Sequence, residues 1–341
     1  MRSEILTFIK NNNDWEEKLK AEPYNLRIAR KDSFAIFNYF LNPNFSLSIV
    51  QEARGIILDI AKMKVVCFPF SKFFNYNESF AHTINWETAK VQEKLDGSLI
   101  KFWFNEYTNN WHISTNKTID ARDASVNERI SFYDLVTDAK NDAFNYFLES
   151  ADKRATHMFE LTSPINRIVI EYSEPQLWYL GSRTNETGEE YFDPIGLLRP
   201  KFYSLNSMEE CLSELSNGAN GEIEGFVVVD NNFNRVKIKT EHYVKMARLR
   251  CNGNLTTKRI LNIIQEGEKD EFLAYFPNYK NWFNDVEHEL KLLTIEIMCV
   301  CKSAETYYKM VNESRKELAI EFQNNPYFLL FFHTLKEKKL I

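Results

Sequence analysis

What most restricts the fold of this chain is a change of hydrophobic period near residue 246. Before it, short β-branched and aromatic runs recur between polar turns: Ile56-Ile57-Leu58-Asp59, Val65-Val66-Cys67-Phe68, Leu99 to Phe104 and Trp111 to Ser114. Met158-Phe159-Glu160-Leu161, Ile168-Val169-Ile170, Leu177-Trp178-Tyr179-Leu180 and Phe226-Val227-Val228-Val229 continue the series. Such runs read as strands. After it, Leu261, Ile263 and Ile264, then Leu290, Leu292, Leu293, Ile295, Ile297 and Met298, recur at helical spacing. The pattern predicts an α+β domain of strands and flanking helices over residues 1–245, then an all-α domain over residues 246–341. Residues 1 to about 45 read as mixed helix and loop, with the Asn11-Asn12-Asn13-Asp14 run supplying the N-cap of a helix that begins near Trp15. Asn109-Asn110 marks a hairpin turn, and a helical interval spans Val126 to Ser150.

The formal charge of −6 argues against a protein that coats nucleic acid by bulk electrostatics, while leaving room for a local basic groove. Hydrophobic residues at 44% and charged residues at 26% exclude an intrinsically disordered chain. No stretch approaches the roughly 20 apolar residues of a membrane span. The first residues lack the apolar core of a signal peptide, so a cytoplasmic monomer is expected. The five cysteines are odd in number and show no paired C-x-x-C spacing, which disfavours a zinc module or a disulfide framework.

Chemistry enters at Glu93-Lys94-Leu95-Asp96-Gly97-Ser98. A lysine follows a strand and precedes an Asp-Gly turn, the placement of a nucleophile at the mouth of a sheet, with Gly97 letting a ligand's phosphates approach. A surface lysine in a turn is the competing reading. Arg235-Val236-Lys237-Ile238-Lys239 alternates basic and apolar residues, so one strand face carries three cations. Glu224 closes a polar turn and opens an apolar strand, where a carboxylate can hold Mg2+ through water. Glu160, inside an apolar strand, needs a partner if buried.

Taken in order, these elements resemble the signature of covalent nucleotidyltransferases: K-x-D-G, then a strand with Phe159-Glu160, then Glu224-Gly225-Phe226-Val227, then Lys237-x-Lys239. More narrowly, A-R-G-I at 53–56, K-F-F-N at 72–75, K-L-D-G-S at 94–98, S-P-I-N-R-I-V at 163–169 and K-I-K at 237–239 resemble the phage RNA ligase 1 family, which repairs cleaved tRNA. The resemblance covers residues 50 to 245 and extends more faintly into the helical tail. It implies a nucleotidyltransferase domain of ATP-grasp-like antiparallel sheets, with ATP between them over Lys94.

The reaction so implied has three steps. Lysine attacks the α-phosphate of ATP, AMP passes to an RNA 5′-phosphate, and a 3′-hydroxyl displaces AMP. Lys94, Lys237 and Lys239 are the implied catalytic residues. A free lysine titrates near about 10.4, so the two strand lysines are expected to disfavour the ammonium form of Lys94. The nucleotide contacts implied are Arg54, Lys72, Glu93, Glu160 at the ribose, Phe74 stacked on adenine, Glu224 and Tyr243. Lys117 stands one position away from the family's basic element. Glu224 is the implied ligand of Mg2+ or Mn2+, and Asp270-Glu271 resembles an acidic pair at a second metal. The partners implied are RNA with 5′-phosphate and 3′-hydroxyl ends, above all a nicked tRNA anticodon loop, and an end-healing 5′-kinase/3′-phosphatase in an infected host cell. DNA ligases of the same superfamily place an OB barrel after the K-x-K strand, whereas helices are expected here. A catalytically inactive RNA-binding descendant would have lost Lys94, Glu224 or the Lys237/Lys239 pair, and none is lost.

Overall fold

A computed structural model describes residues 2–40, 42–166, 169–192, 196–217, 223–249, 255–275, 277–312 and 314–327. The first sheet is an antiparallel meander of β1 (Leu26–Lys31), β2 (Phe34–Tyr39), β3 (Arg54–Asp59) and β4 (Lys64–Cys67). Residues 26–39 are thus a hairpin where mixed helix and loop was expected. Its turn has no glycine to announce it: Asp32 takes the positive φ of 54° instead. Because β2 is buried on both faces, its Phe34-Ala35-Ile36-Phe37 run is continuous rather than alternating. Ala35, Phe37, Ile56 and Leu58 share a core with Ile5, Ile9 and Leu19 of the N-terminal helices Glu4–Asn11 and Trp15–Lys20. Phe34, Ile36, Ile57 and Val66 cluster with Trp103, the Phe34 and Trp103 ring centroids lying 5.0 Å apart.

Ten further strands follow: β5 (Phe74–Asn75), β6 (Lys90–Lys94), β7 (Ser98–Asn105), β8 (Asn110–Thr115), β9 (Ala155–Thr162), β10 (Gln176–Thr184), β11 (Glu190–Tyr191), β12 (Phe202–Tyr203), β13 (Gly225–Val229) and β14 (Arg235–Lys239). They form two five-stranded sheets, ordered β11-β10-β9-β7-β8 and β12-β6-β13-β14-β5. All pairings are antiparallel except β14 with β5. Helices Phe132–Ala139 and Asp142–Ser150 bury Leu135, Val136, Phe144 and Phe147 against Phe102, Phe159 and Tyr179 of the first of these sheets. The strand expected at Ile168-Val169-Ile170 does not form in the described part. Ile168 lies outside the described residues, and the N–H groups of Val169 and Ile170 go to the carboxylate of Asp96 rather than to a ladder.

Among the described residues after Lys239, every regular element is helical. Helices Glu241–Leu249, Thr257–Gln265 and Lys269–Tyr275 belong to the same compact unit as the sheets, which ends at Tyr275 rather than at the change of period. Ile260, Ile263 and Ile264 form the buried face of the middle helix, and Glu268 beyond it reaches Lys72 and Lys237. Period reports secondary structure, not the packing unit to which a helix belongs. The second unit, Phe276–Ile341, holds the long helix Lys280–Met310 and helix Arg315–Phe322 around Ala304, Tyr308 and Leu318.

The chain leaves one five-stranded sheet at Lys94 and enters the other at Ser98, so Leu95-Asp96-Gly97 is the crossover. Gly97 is required there by close approach of protein: a Cβ would lie 2.4 Å from the Leu161 carbonyl oxygen of β9. Gly97→Ala is therefore expected to push the crossover off β9 and lower stability by about 2 kcal/mol. Urea denaturation checks this, and an unchanged midpoint would show that the crossover yields freely.

Candidate active site

Strand register places the basic residues. Lys94 of β6 lies opposite Gly225 of β13, which lies opposite Lys239 of β14. The next row that shares their face runs Gln92, Val227, Lys237. The alternation of Lys237-Ile238-Lys239 therefore puts both lysines on the face that carries Lys94, as the spacing predicts. Glu224, one residue before β13 and only 3% exposed, reaches both ends of the first row. Its Oε1 stands 2.8 Å from Lys94 Nζ and 3.1 Å from Lys239 Nζ. The Lys94 side chain, 21% exposed, opens onto a cleft of about 480 Å3 between the two sheets. That size suits a nucleotide-sized ligand.

The crossover is held by Asp96, which is 1% exposed. One carboxylate oxygen accepts from Tyr243 Oη at 2.8 Å, and the other accepts from the N–H groups of Val169 at 2.6 Å and Ile170 at 2.7 Å. The Asp96 N–H in turn donates to Tyr172 Oη at 3.1 Å. Burial is the main cause that raises both tyrosine hydroxyls far above their ordinary titration range, so they stay protonated. Tyr243 thus reaches the site through Asp96, from helix Glu241–Leu249.

Arg54, Lys72, Glu93, Glu160, Glu224, Lys237, Lys239, Tyr243 and Lys117 all line the cleft with Lys94. Phe74 does not. It is 2% exposed and packs in the first core against Phe45 at 5.3 Å, while the aromatic residues on the cleft wall are Tyr39, Phe40, Phe70, Phe73 and Tyr243. In K-F-F-N the strand's two faces separate the two phenylalanines, and spacing alone does not say which is the outer one. Asp270 is exposed at the start of its helix and lies outside the cleft wall, while the side chain of Glu271 lies outside the described residues. Of the S-P-I-N-R-I-V motif, Arg167 and Ile168 also lie outside the described residues. Cleft residues that the sequence reading passed over include Asp96 and Glu268. An Asp before Gly97 reads as a turn residue, and Glu268 follows Gly267 between two helices with no motif to mark it.

Lys72 Nζ and Lys237 Nζ stand 3.5 Å and 3.9 Å from the two oxygens of Glu268. Arg54 stacks over Phe73 at 5.1 Å and keeps a buried Nη1 without a hydrogen-bond partner. That orphaned donor suits an anion in the cleft. Glu160 keeps part of its surface open to the cleft, yet burial pushes its carboxyl up to about 7. Lys94 and Arg54 oppose this, and Glu224 and Asp96 add to it.

Among the described residues no group of three or more His, Cys, Asp or Glu side chains forms a metal cage. One buried carboxylate beside a cleft lined with cations instead fits Mg2+, which keeps most of its waters and takes phosphate oxygens as its other ligands.

Two sheets joined at a lysine, with a buried carboxylate and a basic strand sharing its face, define a covalent nucleotidyltransferase class of site. The RNA ligase family model of the phage T4 ligase 1 type matches residues 52–243, more than half the chain. The chain belongs to this RNA ligase family. It is 39% identical, over 68% of its length, to a protein of Autographa californica nuclear polyhedrosis virus named as a bifunctional polynucleotide kinase/RNA ligase, of which it spans 36%. It is 22% identical to an RNA ligase of Rhodothermus phage RM378, covering 87% of this chain and 81% of that one. In fold it is similar to an archaeal ATP-dependent RNA ligase, form 2, at a TM-score of 0.51 and 13% identity, over 87% of this chain and 82% of that one.

Two outcomes follow from the site's charges. Glu160 binds its proton more tightly folded than unfolded, so between about pH 4.5 and 7 the folded state holds the extra proton and stability falls as pH rises. Over that window the wild type should lose on the order of 1–3 kcal/mol more than Glu160→Gln, read from urea midpoints at each pH. Tyr243→Phe removes the hydroxyl from a buried carboxylate and should cost about 1.5–3 kcal/mol by the same measurement.

Proposed function

We propose that this protein is an ATP-dependent RNA ligase that joins 5′-phosphate and 3′-hydroxyl ends through an adenylylated Lys94. The observation that carries the reading is the amine of Lys94, open to the cleft and bracketed by Glu224, with Lys237 and Lys239 on the same sheet face. In the first step Lys94 Nζ forms a bond to the α-phosphorus of ATP and the bond to the β-phosphate oxygen breaks, releasing pyrophosphate. The Glu224 carboxylate, 2.8 Å from Nζ, is within proton-transfer distance of the attacking nitrogen. Lys237, Lys239, Lys72 and Arg54 face the charge that develops on the phosphates, where fixed cations in a partly desolvated cleft contribute most. A divalent ion on Glu224 supplies further charge neutralisation when bound. The phosphoramidate nitrogen then leaves as AMP transfers to the RNA 5′-phosphate, and the 3′-hydroxyl closes the phosphodiester as AMP departs.

The family supports RNA as the acceptor, and the baculovirus relative's name pairs ligation with a polynucleotide kinase. A kinase that installs 5′-phosphates is the partner activity this reading calls for. A cleaved tRNA is the substrate suggested by the likeness of the motifs to the tRNA-repairing ligases.

Incubation with α-labelled ATP and magnesium tests the reading without RNA. The wild-type chain should acquire covalent label, and Lys94→Ala should acquire none while still sealing RNA that already carries 5′-AMP. Label persisting on Lys94→Ala would assign the nucleophile elsewhere. Lys237→Ala and Lys239→Ala should each slow labelling by about 100-fold, because each removes a cation from the transferring phosphate. Labelling at wild-type rates in both variants would remove the basic strand from the mechanism.

A further inference from the structure

Among the described residues, Lys101 is a charged side chain with no role so far that lies wholly inside the protein, at 0% exposure. It stands on β7, seven residues beyond Lys94, and its Nζ donates to the carbonyl oxygen of Gly55. Gly55 has φ +81°, and a Cβ there would lie 2.7 Å from Lys101 Nζ and 2.6 Å from the Asn116 carbonyl oxygen. Three segments therefore meet at one point: the start of β3, the middle of β7 and the loop after β8. The segments on either side of Lys101 carry cleft residues, Arg54 next to Gly55 and Lys117 next to Asn116. Arg54 Nη1 and Asn116 Oδ1 are both buried without a hydrogen-bond partner, so this corner of the cleft holds an unspent donor and an unspent acceptor.

Stability does not account for the lysine. A buried ammonium is costly to desolvate, and an apolar side chain of similar length would be as stable or more so. The neighbours do not neutralise it either. Across the β7 pairings stand Ser114 and Met158, which carry no charge. Arg54 on β3 and the buried Cys67 on β4 are the charged or titratable groups acting on it. Burial, with Arg54 adding and Cys67 opposing, lowers the Lys101 amine to about 8.

We propose that Lys101 is a positioning residue for bound triphosphate: through the Gly55 carbonyl its ammonium holds the Arg54–Gly55 turn against the Asn116–Lys117 loop and sets the spacing of the Arg54 and Lys117 charges. This rests on the ATP reading of the cleft. Lys101 touches no substrate. It acts by fixing where two cations stand, as a buried support does for an anion site.

The test titrates ATP against the initial rate of covalent labelling, using the full chain and Lys101→Met. The half-saturating ATP concentration should rise about tenfold, the maximal rate should change less than threefold, and the melting temperature should not fall. In the wild type the half-saturating concentration should also climb above about pH 8, as Lys101 loses its charge, and in Lys101→Met it should stay flat. A merely structural lysine would lower the melting temperature and leave both pH profiles parallel, which overturns the proposal. So does a half-saturating concentration equal to that of the wild type. If Lys101→Met does not fold, Lys101→Gln carries the same comparison, because it keeps a donor for Gly55 without the charge. A wild-type profile flat between about pH 7 and 9 also defeats it. Failure of the wild-type chain to take label defeats the ATP reading itself, whereas a labelled wild type with an unaltered variant defeats only the role of Lys101.

Discussion

The site depends on one buried carboxylate that holds two ammonium groups. Glu224 is almost wholly removed from water, and an isolated charge there would be strongly disfavoured. Two lysines from the strands on either side, Lys94 and Lys239, offset that cost. Their pairing in turn fixes both amines at the floor of the cleft, because a buried charge pair loses much more by breaking than an exposed one. The register of three strands, set by backbone hydrogen bonds far from the chemistry, makes the pairing possible. A slip of one residue on β14 would turn Lys237 and Lys239 to the opposite face.

A second buried carboxylate performs a different task with the same economy. Asp96 is satisfied by one hydroxyl and two backbone N–H groups rather than by a cation. It stands between the last residue of one sheet and the first of the next, so its hydrogen bonds fix the angle at which the chain turns. Tyr243 comes from the helix that follows the basic strand, and Val169 and Ile170 come from a segment beyond β9. The crossover is thereby tied to parts of the chain far apart in sequence, and the adjacent Lys94 is held where a loop lysine would wander. Rigid support beneath a reacting group is what gives it a productive geometry.

Much of this was legible in the residues. Short β-branched and aromatic runs mark most strands of the two five-stranded sheets, and the alternation at 235–239 assigns its lysines to one face. Helical spacing marks the tail. The hairpin at 26–39 was not legible, because its turn residues are Asp32 and Ser33 and its second strand is buried on both sides, which erases the alternation. Nor was the identity of the outward ring in Phe73-Phe74, since both neighbours of a strand end are apolar there. Lys101 stood inside an apolar run, and that is a signal, but an isolated lysine in a strand is read first as its solvent face.

By itself the sequence determined the order of most elements and the family of the protein, and it singled out Lys94 as the candidate nucleophile. These follow from local spacing, which a strand or helix converts directly into a face. Tertiary structure decided what local spacing does not carry: that Glu224 bridges two strands' lysines, that Asp96 is a buried anchor rather than a turn residue, and that Glu268 meets Lys72 and Lys237. It also decided that the helices up to Tyr275 pack with the catalytic sheets. Each is a contact between residues distant along the chain, and such contacts exist only once the sheets have closed around their shared cleft.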